Sequence, residues 1–534
     1  FLALISHYAF NRREPLVSEF SAWLAFLQLF LTSLWQTQPH LKEKSLAPLL
    51  VLCNLYYLAT LVSSIAVYRL FFHPLRKYPG PVLGKLSKFY FSYIGLVRGG
   101  THLWLEELHQ RHGKIVRYGP NELSFIDPDD AMFIQGGQSF KLFRGPWYDG
   151  NPSRKGFHTL VMASTRNVEN HKFRRRIWEK AFTHEALRSY EPKIMQMVDN
   201  LVGHCEKSAS NLVDISRSID HFAFDAMGYL SFGQDFGMVS GTSSGASQEW
   251  AQKLGDYMRT ASLIRPIPWF KNLYNILPID SKGKSGGRRF VDMTMSRFED
   301  RYIRGSEAGA DIFHYLLQPD PKTGMALSKF QVAEESVIIV TAGSDTTSIT
   351  MTFALYYLLK TPEAYARLVE EVDLIWDGRT SLEGRMLGPS QAPYLNAVIN
   401  ESLRIAHPDP NGNQRSTPKG GYMINGKYIP ELTQLSVHKW SMQRDESSFT
   451  KAHEFIPERW ISDEERSRFE ITNHNVRAWI GFGGGLYGCV GKPLALVEMR
   501  LFIVGFLRRL DIAPCPNYDL SRFPRETTST LTLV

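Results

Sequence analysis

Hydrophobic positions are concentrated first near the amino terminus. From Leu46 to Tyr68 the chain runs LAPLLVLCNLYYLATLVSSIAVY, 23 residues without a charge. At about 1.5 Å per residue such a helix spans the roughly 30 Å hydrocarbon core of a bilayer. It is too long for a signal-peptide core, and no small-residue cleavage site follows it. An earlier uncharged run, Phe20 to Trp35, is shorter and aromatic at both ends, which fits a second span or an interfacial helix. The opening FLALISHYAF is a candidate tail of a third span, in a chain that starts on Phe1 rather than a methionine. A buried hairpin of core helices is the competing reading. Arg12 and Arg13 precede the weaker run, and Arg69, Arg76 and Lys77 follow the stronger one. The positive-inside rule then predicts both flanks on the cytosolic side, although Lys42 and Lys44 in the intervening loop weigh against it. Pro74, Pro79 and Pro81 in HPLRKYPGP predict a stiff, non-helical link. We expect residues 1–78 to form a membrane anchor with one to three spans and 79–534 a separate catalytic domain.

Beyond the link the periodicity is mostly helical. Lys114 to Asp127 reads as two strands about a Gly119-Pro120-Asn121 turn. Asp127-Pro128 then supplies a cap and a first-turn proline for a helix. Asn170 to Phe232 is largely helical in pattern. Ser240 to Gln248 (SGTSSGASQ) reads as a flexible loop, too short to separate domains. The clearest element is Ser328 to Lys360, opened by a Ser328/Gln331 capping box and closed at Thr361-Pro362, which caps the next helix. Short strands are predicted around Tyr422 to Ile429 and Ser529 to Val534. The expected class is mainly α with a minor β region.

Composition changes this picture little. The 534 residues are 43% hydrophobic and 21% charged, an ordinary globular balance. That length alone would allow two to four domains, yet no repeat or strong linker follows Pro81. A net charge of +8 is too diffuse to imply nucleic acid and suits an anionic membrane surface or an acidic protein partner. Only Cys53, Cys205, Cys489 and Cys515 occur, with no zinc or disulfide spacing, so the folded part suits a reducing compartment.

One cysteine has a context of its own. Phe482 to Gly491 reads F-G-G-G-L-Y-G-C-V-G, and an apolar helix, KPLALVEMRLFIVGFLRRL, follows directly. Three successive glycines, Gly483 among them, suit backbone that must pass close to a flat ligand. Cys489 then lies at a helix start, where free N–H groups and the dipole favour a thiolate. A buried structural cysteine in a glycine-rich turn is the plain alternative. Within the long helix lies A-G-S-D-T-T, Ala342 to Thr347, flanked by VIIV and SITMTFALYYLL. A helix apolar all round is buried, so its acid and hydroxyls need a purpose. Gly343 would let the helix wall approach a ligand face. The Thr346 hydroxyl can bond the carbonyl one turn back, bending the helix and opening room beside it.

These residues resemble the cytochrome P-450 superfamily. Phe482, Gly485, Cys489 and Gly491 match its F-x-x-G-x-R-x-C-x-G signature, whereas Tyr487 stands at the arginine position. Ala342 to Thr347 matches the oxygen-activation motif A/G-G-x-D/E-T-T/S. Glu401 and Arg404 supply E-x-x-R, and Phe455 to Trp460 match F-x-P-E-R-W. The resemblance implies that Glu401, Arg404 and Arg459 form a buried charge network beneath the cysteine loop. It also implies haem b (iron protoporphyrin IX) with Cys489 as axial ligand to the metal. Phe482, Gly483, Tyr487 and Gly491 would lie against the haem, and His171, Arg175 and Arg415 would face its propionates. Asp345 and Thr346, with Ala342 and Gly343, would form the catalytic stretch that passes protons to dioxygen. The reaction implied is monooxygenation: one oxygen atom of O2 enters a lipophilic substrate and the other leaves as water.

Electrons would come from NADPH through a separate membrane-bound NADPH-cytochrome P-450 reductase, with cytochrome b5 a further candidate partner. No dinucleotide fingerprint lies in this chain. Lys172, Arg176 and Lys180 form a basic stripe that is a candidate docking face, a merely solvated face being the alternative. The implied location is the endoplasmic reticulum membrane with the catalytic domain in the cytosol. The segments expected to line a substrate pocket (near Lys141 to Thr165, Gln248 to Ile276, the start of the long helix, the stretch after Arg404 and the C-terminal strands) carry no charge cluster. The tyrosine at position 487 resembles a fungal branch acting in secondary metabolism, on terpenoid- or alkaloid-like intermediates. Two rival readings are a haem-thiolate isomerase or dehydratase that uses no O2, and a non-catalytic haem-binding membrane protein.

Overall fold

The computed structural model describes residues 1–12, 17–39, 45–137, 141–150, 161–207, 212–241, 245–276, 282–305 and 309–527. The expected strand at Ser529 to Val534 and the charges of Arg13, Lys42 and Lys44 lie outside them. Helices dominate and the β portion is small, as the periodicity predicts.

At the amino end, helices Leu2–Arg12, Val17–Thr37 and Leu46–Val67 pack on one another. The third runs on through a wider helical turn, Tyr68–Phe72, giving a 27-residue helix whose most apolar stretch stays largely uncovered by protein. Among the described residues this is the one helix long and apolar enough to cross a membrane. Polar side chains join the three: Gln28 and Asn54 exchange amide hydrogen bonds of 2.8 and 3.1 Å. Trp23 Nε1 donates to Tyr57 Oη (3.0 Å), which donates to Ser6 Oγ (2.8 Å).

The proline link is non-helical, but it is fastened to the domain beyond. Leu75 is fully buried in the β-side core, and the Arg117 amide donates to the Pro79 carbonyl at 2.7 Å. Strands β1 (Ile115–Gly119) and β2 (Glu122–Phe125) pair antiparallel about the expected turn. Asp127 caps the next helix, accepting from the Asp129 and Asp130 amides, with Pro128 in its first turn. β3 (Arg415–Ser416), the hairpin strands β4 (Tyr422–Ile424) and β5 (Lys427–Ile429), and β6 (Gln434–Val437) complete the β portion. The main sheet runs β1-β2-β6-β3, and β6 lies parallel to β2. Parallel pairing needs a long crossover, and here most of the helical body, including the central helix, intervenes between Phe125 and Gln434.

That body is built around the central helix, Lys329–Lys360, about 48 Å long. Its capping box forms as predicted, with Gln331 N–H donating to Ser328 Oγ and Ser328 N–H to Gln331 Oε1. Helices Ile215–Phe232, Lys282–Arg304, Pro393–Ile405 and Lys492–Leu507 pack against it, which is why it is apolar all round. Two expectations at element ends are corrected. Thr361 precedes Pro362–Ile375 but its side chain makes no capping bond. Gly245 to Gln248 belong to helix Gly245–Ile264 rather than to a loop.

Candidate functional site

The cysteine loop is held from several sides. Cys489 N–H donates to the Phe482 carbonyl at 2.9 Å, closing the loop on itself. Gly483 and Gly485 have φ of 65° and 61°, a left-handed backbone that side chains rarely tolerate. Gly484 N–H donates to the Gln135 carbonyl at 2.8 Å, and a Cβ on Gly484 would lie 2.9 Å from the Gly136 backbone. The close approach that the structure gives Gly484 is to the 135–137 segment. Gly491 is the N-cap residue of the following helix, Lys492–Leu507. Phe482 is half-buried, with the Lys492 ammonium 5.6 Å from its ring centre. The Cys489 side chain is accessible and yet surrounded by protein, as at the base of a cleft. Burial pushes its thiol up, against the Gly491 amide, the Arg175 charge and the Lys492 amide, which pull it down. Burial wins, so the helix start alone does not make a thiolate.

Beneath the loop, Glu401 is completely buried and fully engaged. Its Oε2 accepts from Arg404 Nε and its Oε1 from Arg404 Nη2, both at 2.8 Å. Arg459 Nε and the Ile456 amide donate to Oε1 at 3.0 Å, and Trp460 Nε1 to Oε2 at 2.8 Å. Burial would raise this carboxyl, but Arg404 and Arg459 overcome it and bring it down to about 2. The network reaches the loop through residues that sequence reasoning missed. Arg404 Nη1 donates to the Gln443 carbonyl (2.7 Å), and Gln443 Oε1 accepts from Ile480 N–H (3.0 Å). His407 accepts from the Asp409 amide at Nδ1, so its Nε2 carries the proton donated to the Gly481 carbonyl at 3.0 Å.

On the central helix, Thr346 Oγ1 donates to the Ala342 carbonyl at 2.8 Å, the predicted back-bond. The helix stays α through this stretch, so the bond forms without a break. Asp345 is half-buried and Ala342 exposed. Gly343 corrects its expected role: a Cβ there would lie 2.6 Å from the Met227 side chain, so the glycine lets Ile215–Phe232 pack closely. Thr347 donates to the Gly343 carbonyl (2.7 Å) and toward Glu498 Oε1 (3.3 Å).

A third group lies where carboxylates are expected. The rings of His171 and Tyr487 meet edge to face at 4.7 Å. Arg415 and an unforeseen residue, Arg144, each stack on Tyr487, 4.7 and 4.6 Å from its centroid. Arg144 Nε, Arg415 Nε, His171 Nδ1 and Tyr487 Oη are all buried with no hydrogen-bond partner among the described residues. Burial, with the charges of Arg144, Arg175 and Arg415, drives His171 down to about 3, so it is neutral. Arg175 braces the loop, donating to the Gly488 carbonyl (2.6 Å) and to Glu179 (2.8 Å). The basic stripe has partners within the chain. Arg176 is paired bidentately with Asp320 (2.9 and 2.7 Å), Lys172 with Glu169 (2.9 Å), and Lys180 donates to the Pro319 carbonyl.

Neighbouring Arg174, not singled out by spacing, pairs with buried Glu335 at 2.6 Å, and Glu335 also accepts from Met162 N–H. In sequence, a Glu334-Glu335 pair inside an apolar helix was the available signal.

Comparison with known proteins agrees with this geometry. The sequence profile of the family Cytochrome P450 matches residues 74–533. Cytochrome P450 67 of Uromyces fabae is 31% identical, covering 100% of this chain and 97% of its own. Cytochrome P450 monooxygenase orf5 of Eupenicillium brefeldianum is 33% identical, covering 90% and 93%. Cytochrome P450 monooxygenase nodW of Hypoxylon pulicicidum is 32% identical over 88% and 82%. Among solved structures, the heme domain of cytochrome P450DA superposes with a TM-score of 0.69 at 20% identity, over 85% of this chain and 95% of that one. With a thiol, a buried acid–arginine network and an orphaned cationic cradle on one helical scaffold, the chain belongs to the cytochrome P450 family and is an oxidoreductase of the monooxygenase kind.

Proposed function

We propose that this protein binds haem b through Cys489 and inserts one atom of O2 into a lipophilic substrate, taking electrons from NADPH through a separate membrane-bound reductase. The observation that carries the reading is the pairing of an accessible cysteine on a hydrogen-bonded loop with a cradle of unpartnered cationic and polar atoms, since a haem presents both a metal and two carboxylates. The donor set fits that group. When bound, haem supplies the metal centre that activates dioxygen, with the thiolate enriching it in electrons. A coordinating cation also deprotonates a thiol outright, which the loop alone does not. The protein's role is then positional. Phe482, Gly483 and Gly491 shape the loop, Arg175 steadies it through Gly488, and the Glu401–Arg404–Arg459 network fixes it from below. Asp345 and Thr346 hold and pass protons beside the exposed Ala342 backbone.

The same reading takes residues 1–78 as the anchor and 79–534 as the catalytic domain, on the endoplasmic reticulum membrane facing the cytosol. Cytochrome b5 remains a further candidate electron donor. The fungal monooxygenases among the relatives support a substrate from secondary metabolism. The test is spectroscopic. The reduced, carbon monoxide-treated protein should show the red-shifted Soret band of thiolate ligation, and Cys489→Ala should abolish it. A band that survives in the alanine variant refutes the assignment.

A further inference from the structure

The signature arginine is missing from position 487, and two guanidiniums close over the tyrosine that replaces it. Arg144 and Arg415 are buried to all but 8% and 4% of their surface. Neither meets a carboxylate within ion-pair distance among the described residues. Arg144 Nη1 donates to the Met162 (2.6 Å) and Thr165 (3.0 Å) carbonyls. Arg415 Nη1 donates to Tyr148 Oη (3.2 Å) and the Gln414 carbonyl (3.0 Å). Carbonyls satisfy donors but leave the positive charges uncompensated, and two like charges so placed are costly unless an anion joins them. Each guanidinium keeps a buried Nε–H with no acceptor among the described residues, beside His171 Nδ1 and Tyr487 Oη, which are equally unpartnered. Tyr487 Oη lies next to the Arg144 main chain without forming a proper hydrogen bond there. A planar guanidinium stacks on an aromatic face while its edge still offers N–H groups in the plane, a geometry that an ammonium cannot reproduce.

We propose that Arg144 replaces the guanidinium absent from position 487, and that Tyr487 acts as a spacer setting Arg144 and Arg415 as a two-armed clamp for the paired carboxylates of haem. This rests on the haem reading above. The clamp is a joint device of three segments distant in sequence: the stretch that ends at Gly150, β3 and the cysteine loop. It also explains why a tyrosine is tolerated where a charge is usual. The positive charge has moved to another segment, and the ring now orients it. His171 contributes a neutral ring against Tyr487 rather than a third cation.

The experiment follows transfer of haem from the loaded protein to excess apomyoglobin, alongside the Soret position of the reduced, carbon monoxide-treated form. A hydrogen bond to a charged group is strong enough that Arg144→Gln should speed haem loss by roughly ten- to a hundredfold, with the thiolate band unmoved. Tyr487→Arg in that background should restore retention to within a few-fold of the parent, since it returns the guanidinium to its usual place. Parent-like retention in Arg144→Gln, or a double variant no better than the single one, overturns the proposal. Arg144 also holds two carbonyls, so Arg144→Gln can fail to fold. Tyr487→Leu then decides, because it leaves both cations and removes the spacer: faster haem loss supports the clamp, and an unchanged rate overturns it. A parent protein lacking the thiolate band would instead refute the haem reading itself, so the two failures are distinguishable.

Discussion

Glu498 is the one acidic residue in the apolar helix that follows the cysteine loop, and it is completely buried with Thr347 Oγ1 3.3 Å from its Oε1. Burial pushes its carboxyl up to about 8, the Thr347 bond opposing only weakly. In the unfolded chain it titrates near an ordinary 4.5. Between those two values the folded protein holds a proton that the unfolded chain has released. Stability is therefore lost as pH rises across that window. Glu498→Gln should remove this slope, leaving the variant more stable than the parent by an amount that grows from pH 5 to pH 8 and reaches a few kcal/mol, at about 1.4 kcal/mol for each pH step of one. Thermal unfolding of both proteins across that range checks it; parallel profiles would show that Glu498 is ionised in the fold. Buried neutral histidines such as His102 and His407 act in the opposite sense below pH 6.5, so only the difference between the two proteins isolates Glu498. At this scale the sequence was legible where residue and partner are neighbours. Thr346 and Ala342, or Glu401 and Arg404, are one helical turn apart. Arg144 and Tyr487 are 343 positions apart, and nothing in K-L-F-R-G-P-W-Y signals a partner so remote.

Elements follow the hydrophobic period more faithfully than their ends follow local chemistry. The central helix, the β1–β2 pair and the Asp127 cap form where the pattern puts them. Thr361 fails as a side-chain cap, because Thr361-Pro362 punctuates the chain whether or not the hydroxyl bonds. Gly245 is a poor helix former at the start of Gly245–Ile264, but Ala246, Gln248 and Glu249 after it are good ones, and the helix packs against Lys282–Arg304. The most consequential joint between elements is Glu401, which ties Pro393–Ile405 to the Pro457–Trp460 turn through Arg459, Trp460 and the Ile456 amide. Removing one partner of a buried charge network costs about 3–5 kcal/mol, because the remaining charges stay buried. Glu401→Gln should therefore lower the thermal midpoint by about 3–5 °C in a chain of this length and the haem-loaded fraction with it. A midpoint within about 2 °C of the parent would show that the network contributes little to holding the loop.

At the scale of the whole chain, the amino-terminal helices and the body are separable by composition but joined in structure. Cutting before Arg69 leaves in place the Arg69 carbonyl, which accepts from Arg117 Nη1 at 2.9 Å, and every residue of the cysteine loop, charge network and clamp. A protein lacking residues 1–68 should load haem to the parent level and sediment with membranes far less, although exposed apolar residues such as Leu83, Leu96 and Val97 keep some affinity for lipid. Haem loading and flotation with vesicles measure both. Loss of haem uptake in detergent would make the amino-terminal helices integral to the core. The architecture of the helical body was legible because long apolar periods dictate it, whereas the polar interlocks among the first three helices, such as Gln28 with Asn54, depend on a packing that composition does not encode. The fastening of Pro79 to Arg117 has a mechanical corollary. A tether with slack would let the body tumble at random over the bilayer, but a junction pinned by a backbone hydrogen bond and a fully buried Leu75 transmits torque. If the amino-terminal helices lie in a bilayer as proposed, a body held in this way keeps one azimuth toward the lipid plane, and an encounter with anything confined to that plane becomes a search in two dimensions against a fixed target.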